Sequence, residues 1–95
     1  MLVQKPAGKG DTVSIKLITG EELIAVYADE NENSITVEKP ATLATGPQGV
    51  GIMPWIMSAK PDKVSLNKST VIAMATTDED IAKSYVQATT NIQLV

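Results

Sequence analysis

The sequence contains no cysteine, histidine, arginine or phenylalanine, and its aromatic residues are Trp55, Tyr27 and Tyr85. Each absence removes a class of chemistry. Without Cys there is no disulfide frame, no thiol nucleophile and no thiolate metal site. Without His the usual acid–base catalyst at neutral pH, the hydrolytic triads and imidazole ligation of zinc are gone. Without Arg there is no bidentate fork for a phosphate or a guanine. No apolar run approaches the roughly 20 residues of a membrane span. The opening residues, Met1 to Gly10, lack the apolar stretch of a signal peptide. A cytosolic protein with no membrane partner is the expectation.

What remains is a small soluble domain. The 95 residues are 43% apolar and 20% charged, with a net charge of −3, a globular composition. The acidic balance argues against wholesale electrostatic capture of nucleic acid and leaves a local basic patch open. Residues 1–10, with Lys5 and Lys9, read as a flexible arm, residues 11–76 as a β-barrel, and residues 77–95 as a helix and tail of the same domain.

Val, Ile and Thr supply 28 of the 95 residues, mostly in alternating runs, which favours strands. Val13, Ile15 and Leu17 alternate with Ser14, Lys16 and Ile18. Thr19-Gly20-Glu21-Glu22 turns the chain into Leu23–Ala28, completing a hairpin. After the polar Asp29–Asn33 loop, Ile35 and Val37 restore the period of two. Pro40 bends or ends that strand, and Leu43 begins a continuation. Gly46–Gly51 reads as a turn or loop. Ile52-Met53-Pro54-Trp55-Ile56-Met57 is an apolar segment whose proline implies an edge strand or a bulge. Lys60–Lys63 turns again, and Val64 and Leu66 lead through Asn67–Thr70 into Val71–Ala75.

The ending changes period. Thr77 with Asp80 reads as a capping box, and Asp78, Glu79 and Asp80 suit the positive end of a helix dipole. Ile81, Tyr85 and Ala88 recur at helical spacing. The pattern predicts a helix over Asp78–Thr89, then an apolar tail of Ile92, Gln93, Leu94 and Val95. The helical stripe either closes the end of its own barrel or docks a partner.

Val13, Ile15, Leu17, Gly20, Leu23, Asp29 and Asn33, followed by Val64, Leu66, Val71 and Met74, resemble the two motifs of the Sm-like family (Sm, LSm and Hfq-type proteins). The resemblance spans roughly residues 13–75. It implies a small, strongly bent, five-stranded antiparallel barrel that assembles into a homo-oligomeric ring, here with a C-terminal helix and no N-terminal one. It also implies single-stranded RNA as a partner, in a regulatory or chaperone role without cofactor. The matching RNA-contact positions are Asp29, Asn31, Asn33, Asn67 and Lys68. Several depart from the family pattern. Asn31 stands where a stacking side chain is usual, between Glu30 and Glu32, and Asn67-Lys68 replaces Arg-Gly. The Gly-Pro segment, the Trp-containing segment and the acidic-capped helix resemble small proteins of large tailed bacteriophages, which would place the chain in a bacterial host's cytoplasm.

Each candidate carries a plainer reading. Asp29 and Asn33 orient a base, or they close a hairpin by side chain to backbone bonds. Lys68 offers a cation to RNA, or it is a solvated turn residue. Asp78-Glu79-Asp80 points in diverging directions and caps a helix rather than binding metal. Ile52, Trp55 and Ile56, with Val71 and Ile72, are the candidate subunit-interface residues, and core packing is the alternative for Trp55. No nucleophile–base pair or converging ligand set can be assembled, so no enzyme is expected. A protein-assembly module that keeps the ring and has lost RNA is the competing reading.

Overall fold

The computed structural model describes residues 2–3, 8–47, 49–56 and 63–93. Their elements are β1 (Leu2–Val3), β2 (Thr12–Leu17), β3 (Glu22–Glu30), β4 (Ser34–Gly46), β5 (Gly49–Pro54), β6 (Lys63–Asn67), a 3-10 turn (Lys68–Thr70), β7 (Val71–Thr76) and α1 (Glu79–Gln93). Met57, most of the Lys60–Lys63 turn, Lys5, Leu94 and Val95 lie outside the described residues.

The sheet runs β1-β7-β2-β3-β4-β5, and β6 also pairs with β4. β6 lies along Ser34–Glu38, and β5 along Ala41–Gly46. The two therefore form one broken track beside a long, bent β4. With β2, β3, β4 and β7 this gives the five-track, mainly antiparallel Sm-like plan expected from the motifs. β1 is the exception. Leu2 and Val3 pair in parallel with Ala73 and Met74, so the arm expected to be flexible joins the sheet at these two residues.

The hairpin forms as its alternation demands. Val13, Ile15 and Leu17 are buried, and Gly20 takes the left-handed φ of +96° that closes the turn to β3. These three pack with Leu23, Ala25, Ile35, Val37, Leu66, Val71 and Met74 into the main core. Fully burying a side chain of this size contributes about 1.5–3 kcal/mol, against about 1 kcal/mol or less for an exposed ion pair. The barrel is held by this cluster.

The bend in β4 decides where the helix sits. Ile24 pairs with Ala41 and Val26 with Glu38, so Lys39 and Pro40 together face Ala25 as a bulge. Lys39 takes a φ of +50° there. A bulge adds one residue to one strand and so reverses which face the following side chains occupy. Before it, Ile35 and Val37 point into the main core. After it, Ala41 and Leu43 join Ile24, Val26 and Ile52 on the outer face, against Tyr85 and Ile81 of α1. Pro40 thus bends the strand without ending it. The helix packs on its own domain, on the barrel's outer face rather than across its end.

The helix start also differs from the expected capping box. Asp78 is the cap, its Oδ2 accepting the N–H groups of Asp80 at 3.1 Å and Ile81 at 3.3 Å. Thr77 is buried instead, and its hydroxyl shares a 2.9 Å hydrogen bond with that of Ser14. The helix then runs past the expected Thr89 to Gln93. Among the described residues no helix is long and apolar enough to cross a membrane.

Candidate functional site

Two polar loops far apart in sequence meet at one end of the barrel. Pairing of Ser34 with Asn67 and Ile35 with Leu66 sets the Asn31–Asn33 loop beside the Asn67–Thr70 turn. The Lys68 N–H donates to the Asn33 carbonyl at 2.9 Å, joining them directly. The five positions matched to RNA contacts therefore belong to one rim.

Their side chains are largely engaged in shaping it. The Asn31 Oδ1 accepts the N–H of Asn33 at 2.8 Å and that of Ser34 at 2.9 Å, and the Ser34 hydroxyl also donates to it. This is the loop-closing role of an Asx residue. Asn67 caps the 3-10 turn, its Oδ1 accepting the Ser69 N–H at 3.0 Å. The Asp29 Oδ1 accepts the N–H of Glu30 at 2.8 Å. Asn33 contributes its backbone carbonyl to Lys68.

Lys68 carries the site's positive charge, and the structure pairs it. Its Nζ lies 2.7 Å from the Glu30 Oε2, while the Tyr27 hydroxyl donates to the Glu30 Oε1 at 2.7 Å. The Lys68 and Tyr27 hydrogen bonds hold the Glu30 carboxyl below its ordinary value of 4.5. Desolvation, reinforced by Glu30, pushes the Tyr27 hydroxyl up to about 12. Sequence reasoning placed Glu30 at the rim only as a neighbour of Asn31. It missed the pairing, and it missed Tyr27 altogether. The available signal was the proximity that the two motifs imply for Asp29–Asn33 and Asn67-Lys68.

The candidate interface residues separate. Val71 is buried in the main core. Ile52 is half-buried under α1. Trp55 packs against the main core, and its Nε1–H donates to the Glu21 Oε2 at 3.2 Å. Ile56 and Ile72 alone of the five are exposed, at 39% and 50%. Ile72 lies on β7, whose outer side carries β1 at Ala73 and Met74. Pro54 ends β5 at the other margin of the sheet, in the edge position where a missing N–H is tolerated. Among the described residues no three acidic side chains gather as a metal-holding group.

Residues 14–86 match the Sm-like domain family. None of the curated proteins compared gives a match. The matched span begins in β2, takes in both rim loops and ends within α1, so it covers the barrel and the start of its covering helix. With a match over well more than half of its length, on a bent antiparallel sheet whose two motifs meet at one rim, the chain belongs to the Sm-like domain family.

Proposed function

We propose that this chain is a non-enzymatic module that assembles edge to edge into a homo-oligomeric ring and binds single-stranded RNA at the rim formed by Asp29, Asn31, Asn33, Asn67 and Lys68. The observation that carries the reading is the junction of the two motif loops, Lys68 N–H to Asn33 carbonyl at 2.9 Å. Proteins of the family are generally RNA-associated. Repeated around a ring, this junction would form a collar with one lysine per subunit, and recognition of a phosphate backbone depends on such cations. The reading places the protein in the cytoplasm with no cofactor.

Assembly is supported by one margin of the sheet, where the β5–β6 track has no strand on its outer side among the described residues. At the other margin β1 pairs with β7 at Ala73 and Met74, and a neighbour would have to meet the rest of β7 or displace β1. An open edge offers N–H and C=O groups to a further strand, and ring closure removes it. Light scattering coupled to size exclusion tests this part. A discrete oligomer at micromolar concentration is expected, and a monomer throughout would overturn the ring.

The RNA part is tested by titrating a short single-stranded RNA at about 50 mM salt. Binding should weaken as salt rises and in Lys68→Ala. No retained complex at the lower salt would overturn it.

The acidic surroundings favour the second reading, a ring that serves as a protein-assembly module. Glu32 is exposed, Glu30 holds Lys68, and the Asn31 side chain is bonded to its own loop. A nuclease-resistant complex composed of proteins, with no RNA binding by the purified ring, is the result this reading expects.

A further inference from the structure

Both oxygens of the Glu30 carboxylate are engaged by groups of the rim. One faces the Lys68 ammonium at 2.7 Å, and the other accepts the Tyr27 hydroxyl at 2.7 Å. A short contact between an ammonium and an anionic oxygen is a charge-assisted hydrogen bond, the same bond that a phosphate oxygen would make with Lys68. The carboxylate is held in place for that role. Tyr27 fixes its far oxygen, and the Asp29 Oδ1 fixes its backbone N–H at 2.8 Å. Lys68 is held in turn by the Asn33 carbonyl through its own N–H.

The pair is partly open to solvent, with the two side chains 25% and 31% exposed. An ion pair in that setting is weak enough to exchange with an incoming anion. Asp29 is the further charged side chain that adjoins Glu30 in the chain, and it adds negative charge to the same end of β3.

We propose that Glu30 is an internal competitor for RNA phosphate: its carboxylate occupies the Lys68 ammonium, and a phosphate binds there only by displacing it. This deepens the RNA reading above and rests on it. Glu30 thereby sets the affinity of the rim, and Tyr27 is a positioning residue that keeps the carboxylate facing Lys68.

Removing Glu30 also removes a negative charge from the rim, so the experiment must separate the two effects. Glu32 provides the comparison, because it lies on the same exposed loop and forms no ion pair among the described residues. Glu30→Gln keeps the side-chain length and an oxygen for the Tyr27 hydroxyl. The full chain is titrated with a fluorescently labelled single-stranded RNA across a salt series. The variants are Glu30→Gln, Glu32→Gln, Lys68→Ala and the double variant Glu30→Gln/Lys68→Ala, each checked for a retained cooperative fold and assembly.

Glu30→Gln should tighten binding about threefold more than Glu32→Gln does, and steepen the log–log salt dependence by about one. That excess should vanish in the Lys68→Ala background. Equal effects of the two Gln substitutions, or an excess that persists without Lys68, would overturn the competition while leaving the RNA reading standing. Absence of binding by the wild-type chain would overturn the RNA reading and the competition with it.

Discussion

Tyr85, on α1, donates its hydroxyl hydrogen to the carbonyl oxygen of Lys39 at 2.6 Å, across 46 residues of chain. Lys39 is the one non-glycine residue at positive φ among those described, and it sits in the bulge that bends β4. The helix therefore fastens the barrel at a non-glycine residue held in the left-handed region. The same ring is buried against Ile24 and Ala41, so packing and hydrogen bonding act at one point.

Tyr85→Phe keeps the packing and removes the donor from a part-buried carbonyl. The expected cost is about 1–2 kcal/mol of unfolding free energy, measured by urea denaturation at neutral pH. A cost near zero would mean that the bulge holds itself.

Alkaline titration adds a second reading of the same contact. Burial, with the neighbouring Glu38 charge, pushes the Tyr85 hydroxyl from its ordinary 10.0 up to about 12. Between those values the unfolded chain releases the proton and the folded chain keeps it, so stability falls as pH rises. The contribution is whole below pH 10 and is lost as pH passes 12, in total about 2–3 kcal/mol. Tyr85→Phe should flatten this slope. The comparison is best made in Tyr27→Phe, because Tyr27 is also pushed up to about 12.

At the rim the sign reverses. Hydrogen bonds from Lys68 and then Tyr27 hold the Glu30 carboxyl below 4.5, so its contribution is present above that value and is lost as pH falls through the lower folded one. Lys68→Met should cost about 0.5–1 kcal/mol at pH 7, the range of a partly exposed pair. The difference from wild type should shrink as Glu30 protonates in acid. An undiminished difference at pH 3 would show that Lys68 acts through something other than this pair.

Gly20 lies at a φ of +96°, and a Cβ built there meets nothing within 4 Å. Any cost of Gly20→Ala is therefore backbone strain, about 1–2 kcal/mol. Gly20→Asn should cost less, because Asn tolerates the left-handed region. Thermal unfolding of the two variants decides it, and equal losses would place the effect outside the turn.

Ile72 is half exposed on β7, in the strand expected to meet a neighbouring subunit. Ile72→Glu should leave the unfolding free energy within about 0.5 kcal/mol, as surface substitutions usually do, while shifting light-scattering mass toward monomer. An oligomer of unchanged mass and concentration dependence would place the contact elsewhere.

Much of the barrel was legible in the chain because strand parity is a local property. Val13, Ile15 and Leu17 alternate with polar neighbours, and one buried face suffices to sort them. The helix was legible through Ile81 and Tyr85, although its cap was not. Thr77 and Asp78 are both competent caps, and the choice fell to Asp78 because Ser14, on a distant strand, engages Thr77. The rim was legible as positions but not as partners. Glu30 and Lys68 are separated by a whole strand excursion, and no local pattern records the β4–β6 register that brings them together.

By itself, then, the sequence determined the strand and helix periods, the core residues of the hairpin, the chemistry excluded by missing Cys, His and Arg, and the motif positions of the Sm-like family. These follow from residue type and short-range spacing. Tertiary structure alone decided that Lys39 and Pro40 form a bulge, that Ala41 and Leu43 thereby face α1 instead of the barrel interior, and that Glu30 answers Lys68. A single extra residue reverses side-chain parity without altering the hydrophobic pattern, and an ion pair between distant strands depends on register, which long-range packing sets.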